Sequence, residues 1–244
     1  FLRSGVSKFN RIVERHEIPR GGGYWKSYDF SSNINRSNIF RHPLGPSGVK
    51  DQMGNDFFEE TQVFKHAGGE IIFSLANGLQ GYFLADSSGN RINQAPLEIV
   101  QNLSGGPGND PVISNGISCI TCHTSGMQAF DWKAEQLRQT INLADATKVA
   151  ENYDKEKALE LLSTAEEINK MVEKDTKRFL DAMEKTADYE NSYFAVRGGV
   201  VGSEEPIALL TAHYEGGLDL ISAAGELGVK SDELEKKIKL VDEL

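Results

Sequence analysis

The chain has 244 residues, of which 39% are hydrophobic and 25% charged, enough apolar material for a buried core and too much for wholesale disorder. Its formal net charge of −10 disfavours nucleic acid and anionic membrane surfaces, which would repel it, and suits a basic partner protein or simple solubility. No run approaches the roughly 20 apolar residues of a transmembrane segment. The chain starts at Phe1, with no initiator Met and no signal peptide, and reads as a processed protein or the ordered part of a longer one.

The first 60 residues are rich in Gly, Ser, Asn and aromatics, punctuated by Gly21-Gly22-Gly23 and His42-Pro43-Leu44-Gly45-Pro46, and predict loops, turns and a few short strands. Tyr24, Trp25, Tyr28 and Phe30 read as core packing. Residues 62 to 95 predict a small antiparallel meander. Ile71 to Leu75 is β-rich, Asn77-Gly78 is a strong hairpin signal, and Leu79 to Leu84 returns. A second turn at Ser87-Ser88-Gly89-Asn90 leads to a third strand at Arg91 to Asn93. Residues 101 to 111 are a loop by composition. From Val112 to Glu205 there is no proline, so helix can run freely. Leu161, Ala165, Ile168, Val172, Phe179 and Met183 step along one helical face. Ser203-Glu204-Glu205-Pro206 and Ser231-Asp232-Glu233 read as helix starts.

The chain has two cysteines, both within Cys119-Ile120-Thr121-Cys122-His123. This is the C-x-x-C-H pattern of covalent c-type haem attachment. Thiols three positions apart share one face of a helical turn, from which both can form thioethers with the haem vinyl groups. The adjacent His123 then reaches the iron as proximal ligand. Three readings compete: a thioredoxin-type disulfide, which wants a βαβ context and finds a Gly/Ser/Asn loop; a zinc site using His123 and a further ligand; and accident. That the only two cysteines both fall in the motif favours one haem c per chain.

A sixth iron ligand must come from a distant segment. Met127, four residues past His123, is too close to wrap the ring and is expected to pack on it as a soft apolar residue. Among His16, His42, His66, His213 and Met53, His66 is the first candidate, because Gly68-Gly69 would let backbone lie close to a flat ring. His213 is second. His42, before Pro43, suits a structural role, and His16 a solvated one.

The stretch from Ile71 to Tyr82 and Asn115-Gly116-Ile117-Ser118-Cys119 resemble a family of large monohaem c-type cytochromes, secreted or periplasmic bacterial proteins of planctomycete and myxobacterial type. Arg11 to His16, Tyr24 to Phe30, His42 to Pro46 and Leu218 to Gly228 are also similar, so the likeness covers most of the chain. Ala76 stands where the family pattern has Pro, which leaves the turn intact. The resemblance implies haem and an extracytoplasmic location, not a specific reaction, and it supports His66 through Phe64-x-His66-x-Gly68-Gly69-Glu70.

The expected fold is α+β: a mixed N-terminal half with a small antiparallel β meander, and a helical cytochrome c-like C-terminal half around one haem. Residues 1–111 form the loop-rich region with the meander packing on haem, and residues 112–244 the helical attachment region, as one integrated unit. The favoured function is extracytoplasmic electron transfer with a redox partner protein of basic surface. Nucleic acid and a membrane span are not expected, and a homo-oligomer is compatible with the sequence. The alternatives are a haem enzyme acting on peroxide or small nitrogen oxides, with His66, Arg41 or Arg15 as acid–base groups, and a haem-based sensor or structural subunit.

Overall fold

A computed structural model describes residues 6–19, 21–102, 111–130, 135–143, 153–186 and 219–242. The chain is α+β, and its centre is a four-stranded antiparallel sheet whose spatial order follows the sequence. Strand β1 is Ile12–Glu17 and β2 is Gly23–Tyr28, joined by the glycine-rich turn. Strands β3 (Gly68–Ser74) and β4 (Gln80–Asp86) form the hairpin that Asn77-Gly78 predicts. Its turn is closed by Gly78 N–H to Leu75 O at 2.9 Å and Leu75 N–H to Leu79 O at 2.7 Å, with Gly78 at φ +92°.

The strand expected at Arg91–Asn93 does not form. The Asp86 carboxylate accepts the N–H groups of Ser88 and Asn90 at 2.8 and 2.9 Å, which closes a tight turn. Only an isolated bridge, Ala85 to Arg91, and one hydrogen bond, Ile92 N–H to Leu84 O at 3.0 Å, continue the ladder. The other half of the sheet comes from the first 28 residues, where β1 and β2, six residues each, are the short strands expected there.

Pleating puts alternate residues on opposite faces of a strand. The pairings place Arg15, Trp25, Ile72 and Tyr82 in one row across the first face, and Glu14, Lys26, Ile71 and Phe83 in the adjacent row on the second. The aromatic cluster read as one core is therefore split by the sheet: Trp25 faces one way, Tyr24 and Tyr28 the other.

The helices are α1 (Ile117–Cys122), α2 (Glu135–Asn142), α3 (Lys155–Leu161), α4 (Ala165–Thr186), α5 (Leu220–Glu226) and α6 (Ser231–Asp242). None among the described residues is long and apolar enough to cross a membrane. In α4, Val172, Phe179 and Met183 are buried as the stripe predicts, but Leu161 is 57% exposed. The stripe crosses a break: Leu162 is extended, and Thr164 and Glu167 restart the helix with a capping box. Helix α6 begins at Ser231 as expected, while the start expected at Ser203 lies outside the described residues.

Helix α4 lies on the first sheet face. Asp175 accepts Trp25 Nε1–H at 2.7 Å and binds Arg15 through Nε at 2.9 Å and Nη2 at 3.1 Å. Apolar packing also joins the two halves. Tyr28, Phe30, Ile39, Phe40 and Phe64 form one buried cluster; Leu44, Val63, Ile141, Tyr153 and Ala158 form a second. Leu137 of α2 touches both. A third, Leu84, Ala95, Ile99, Val100 and Ile113, backs β4.

Candidate haem-attachment site

The motif is stitched to the sheet before it begins. Asn115 accepts the Leu84 N–H through Oδ1 at 3.0 Å and donates its own N–H to Asn93 O at 2.8 Å. Gly116, at φ +83°, turns the chain into α1. Cys119 and Cys122 fall on this single helical turn, both as free thiols, Cys119 half-buried and Cys122 exposed. His123 caps the helix, its N–H bonding to Cys119 O at 2.9 Å and Ile120 O at 3.2 Å.

The His123 ring has one nitrogen committed. Nδ1 lies 3.0 Å from the carbonyl oxygen of Gly126. A carbonyl only accepts, so this contact selects the tautomer with hydrogen on Nδ1 and the free lone pair on Nε2. That is the arrangement a ring-nitrogen ligand uses, with the second nitrogen fixing its orientation. The Tyr82 ring stands 6.4 Å away on the first sheet face.

Helix α4 holds the loop that supplies that carbonyl. Gly126 is buried against it, and an added Cβ would meet Thr176 and Phe179 at 3.2–3.3 Å. Thr176 Oγ1–H donates to Met127 O at 3.2 Å. Asn169 exchanges two hydrogen bonds with the backbone of Phe130, at 2.7 and 2.9 Å, and the Phe130 ring stacks on Trp25 at 6.3 Å.

Burial pushes the Cys119 thiol up to about 11 and raises Cys122, with the Glu70 charge adding to both. Dithiol redox centres work with thiol pKa values shifted in the opposite direction. Burial lowers the pKa of His123, aided by the Arg11 charge and opposed by the Gly126 carbonyl, a net shift toward the neutral imidazole. Among the described residues no three His, Cys, Asp or Glu side chains converge as ligands of one ion. Thioethers from Cys119 and Cys122 and a nitrogen from His123 would need no such convergence. The donor set therefore fits a haem, with half-buried Ile120 and Met127 and 38%-exposed Ile117 as apolar neighbours.

The structure does not bring His66 to His123. The His66 ring packs edge-on against Tyr28 at 4.9 Å and Phe64 at 6.3 Å. Tyr28 belongs to the second sheet face, where its hydroxyl donates to Glu14 at 2.7 Å. His123, beside Tyr82, is on the first, so the sheet stands between the two imidazoles. His42 is structural, buried with Nδ1 2.7 Å from Thr61 O. His16 is solvated, its side chain 64% exposed. Met53 is 84% exposed, and His213 lies outside the described residues. Arg15 is committed to Asp175 and Glu17, and Arg41 is exposed.

Sequence reasoning missed the polar cluster on the same face. Arg11 donates to Asp29 through Nε at 2.8 Å and Nη2 at 2.9 Å, and to Glu70 at 3.2–3.3 Å. The signal was available only as strand parity: Arg11 and Arg15 share a face, as do Asp29 and Trp25. Comparison with family models, with curated proteins and with solved structures finds no match to this chain.

Proposed function

We propose that the protein is a monohaem c-type cytochrome that transfers electrons outside the cytoplasm. Cys119 and Cys122 would carry the haem as thioethers, and His123 would be the proximal iron ligand. The observation that carries this reading is His123 itself: it follows two reduced thiols on one helical turn, and its Nδ1 is held by the Gly126 carbonyl so that Nε2 is left to bind.

When bound, the haem supplies one-electron chemistry at iron. The chain's own residues do the rest. Helix α4 fixes the Gly126–Phe130 loop, and that loop orients His123. Ile120, Met127 and Tyr82 offer apolar surface beside it. The enzyme alternative asked for acid–base groups near the iron. Arg15 is ion-paired to Asp175, and His66 packs across the sheet, which favours a carrier over a catalyst. The resemblance to secreted and periplasmic monohaem cytochromes agrees with this, as does an acidic surface suited to a basic redox partner.

The test is expression in a bacterial host that matures c-type cytochromes. The expected product keeps its haem after denaturation, and Cys119→Ala with Cys122→Ala loses it. Sharp α and β bands on reduction, unmoved by carbon monoxide, are expected of a carrier. Ready carbon monoxide binding would favour the enzyme or sensor readings, and a wild-type chain without covalent haem would overturn the proposal.

A further inference from the structure

The Arg11–Asp29–Glu70 cluster has no part in holding the motif, yet it is half-buried to buried on the face where the motif sits. Side-chain exposure is 15%, 2% and 20% in that order. Burial raises the Glu70 pKa against the pull of Arg11, so at mildly alkaline pH, with Glu70 ionised, two carboxylates against one guanidinium leave one net negative charge. Asp29 is the tighter partner: it takes two Arg11 hydrogen bonds at 2.8 and 2.9 Å and a third from Ser27 Oγ at 2.8 Å. Glu70 receives Arg11 only at 3.2–3.3 Å. Glu70 is therefore the less neutralised charge.

Glu70 is also tied to the motif through the hairpin. It pairs with Leu84 across the β3–β4 hairpin, and the Leu84 N–H is held by Asn115, one residue before the turn into α1. Tyr82, two residues from Leu84 on the same face, abuts His123. The field of Glu70 reaches both thiols, and that of Arg11 reaches the imidazole.

Resting on the haem reading above, we infer that Glu70 is a tuning residue, whose fixed negative charge, only partly offset by Arg11, holds down the midpoint potential of a haem attached at Cys119 and Cys122. A negative charge in a low-dielectric site stabilises the more positive, oxidised iron, and surrounding charge is a recognised lever on haem potential.

The experiment is a spectroelectrochemical titration of the purified holoprotein at mildly alkaline pH, wild type against Glu70→Gln and Glu70→Asp. Glu70→Gln keeps an oxygen for Arg11 and removes the charge. The ferrous-to-ferric ratio at fixed ambient potential should rise about tenfold, which is about 59 mV for one electron. Glu70→Asp keeps the charge and should stay near wild type. An unmoved Glu70→Gln, or equal shifts in both variants, would refute the charge mechanism. If Glu70→Gln does not fold, Gln80→Glu decides. It adds a charge on the same face beside Tyr82, whose hydroxyl already donates to Gln80 at 3.1 Å, and it must lower the potential; no change refutes the inference. A wild-type chain that carries no covalent haem sinks the parent reading instead, so the two failures are distinct.

Discussion

Replacing Asp175 with Ala should be among the most damaging single changes in the described fold. The carboxylate is 3% exposed and satisfies three donors: two from the Arg15 guanidinium, itself 8% exposed, and the Trp25 indole N–H. Truncation leaves the buried Arg15 guanidinium with only the half-exposed Glu17 as partner and a buried indole N–H unmet. Breaking a buried ion pair from one side costs about 3–5 kcal/mol. The unpaired indole lies in the same network, so its cost of about 1–3 kcal/mol overlaps with that figure and does not simply add. The loss is a large share of the roughly 5–15 kcal/mol that holds a domain together, and it corresponds to roughly 6–20 °C in Tm for a chain of this size. Asp175→Asn keeps an oxygen for Trp25 and loses the charge, so it should fall between wild type and Asp175→Ala. Urea unfolding followed by far-ultraviolet circular dichroism measures both. A loss below about 1 kcal/mol for Asp175→Ala would refute the claim that this contact fastens α4 to the sheet.

Gly69→Ala should destabilise by about 3 kcal/mol or more, because the new Cβ would lie 2.0 Å from the Ser27 carbonyl oxygen and force β2 from β3; a soluble variant with wild-type unfolding midpoint would contradict the register. Thr164→Ala removes the side chain that accepts the Glu167 N–H at 3.2 Å, and should cost about 1 kcal/mol by the same denaturation assay. Burial lowers the pKa of both His42 and His66 in the fold. A folded pKa below the unfolded value of about 6.5 means stability is fully present above that pH and is lost as pH falls through the folded pKa. Tm should therefore decline on acidification from about pH 6.5, and His66→Gln should flatten the slope; a flat wild-type profile down to about pH 5 would refute it.

How far the sequence was legible depended on whether a signal was local. Asn77-Gly78 carries its own turn chemistry, and the hairpin formed where expected. Ser231 marked α6 for the same reason. The Cys119–His123 helix was legible because the spacing of the motif is itself a helical period. Failures came where distant partners decide. Ile12 to Glu17 alternates polar and apolar residues too weakly to announce a strand, and becomes one by pairing with Gly23 to Tyr28. Arg91–Asn93 looked like a strand until the Asp86 side chain took the turn's N–H groups. Leu161 continued a helical period across a break, although Thr164-x-x-Glu167 was a readable capping box. Gly69, one of the two glycines after His66, admits the Ser27 carbonyl of the adjacent strand, a close approach that strand pairing and not local sequence decides.

The bond between Asp175 and the sheet spans 150 residues to Trp25 and 160 to Arg15. The strands that receive it are made from residues 12–86, and β1–β2 and β3–β4 close over short loops. Contacts of such unequal range give an order of assembly, because long loops close late and slow the overall rate. The sheet can therefore be complete while α4 is still undocked, and in that interval the Gly126–Phe130 loop lacks the Thr176 and Asn169 contacts that back it.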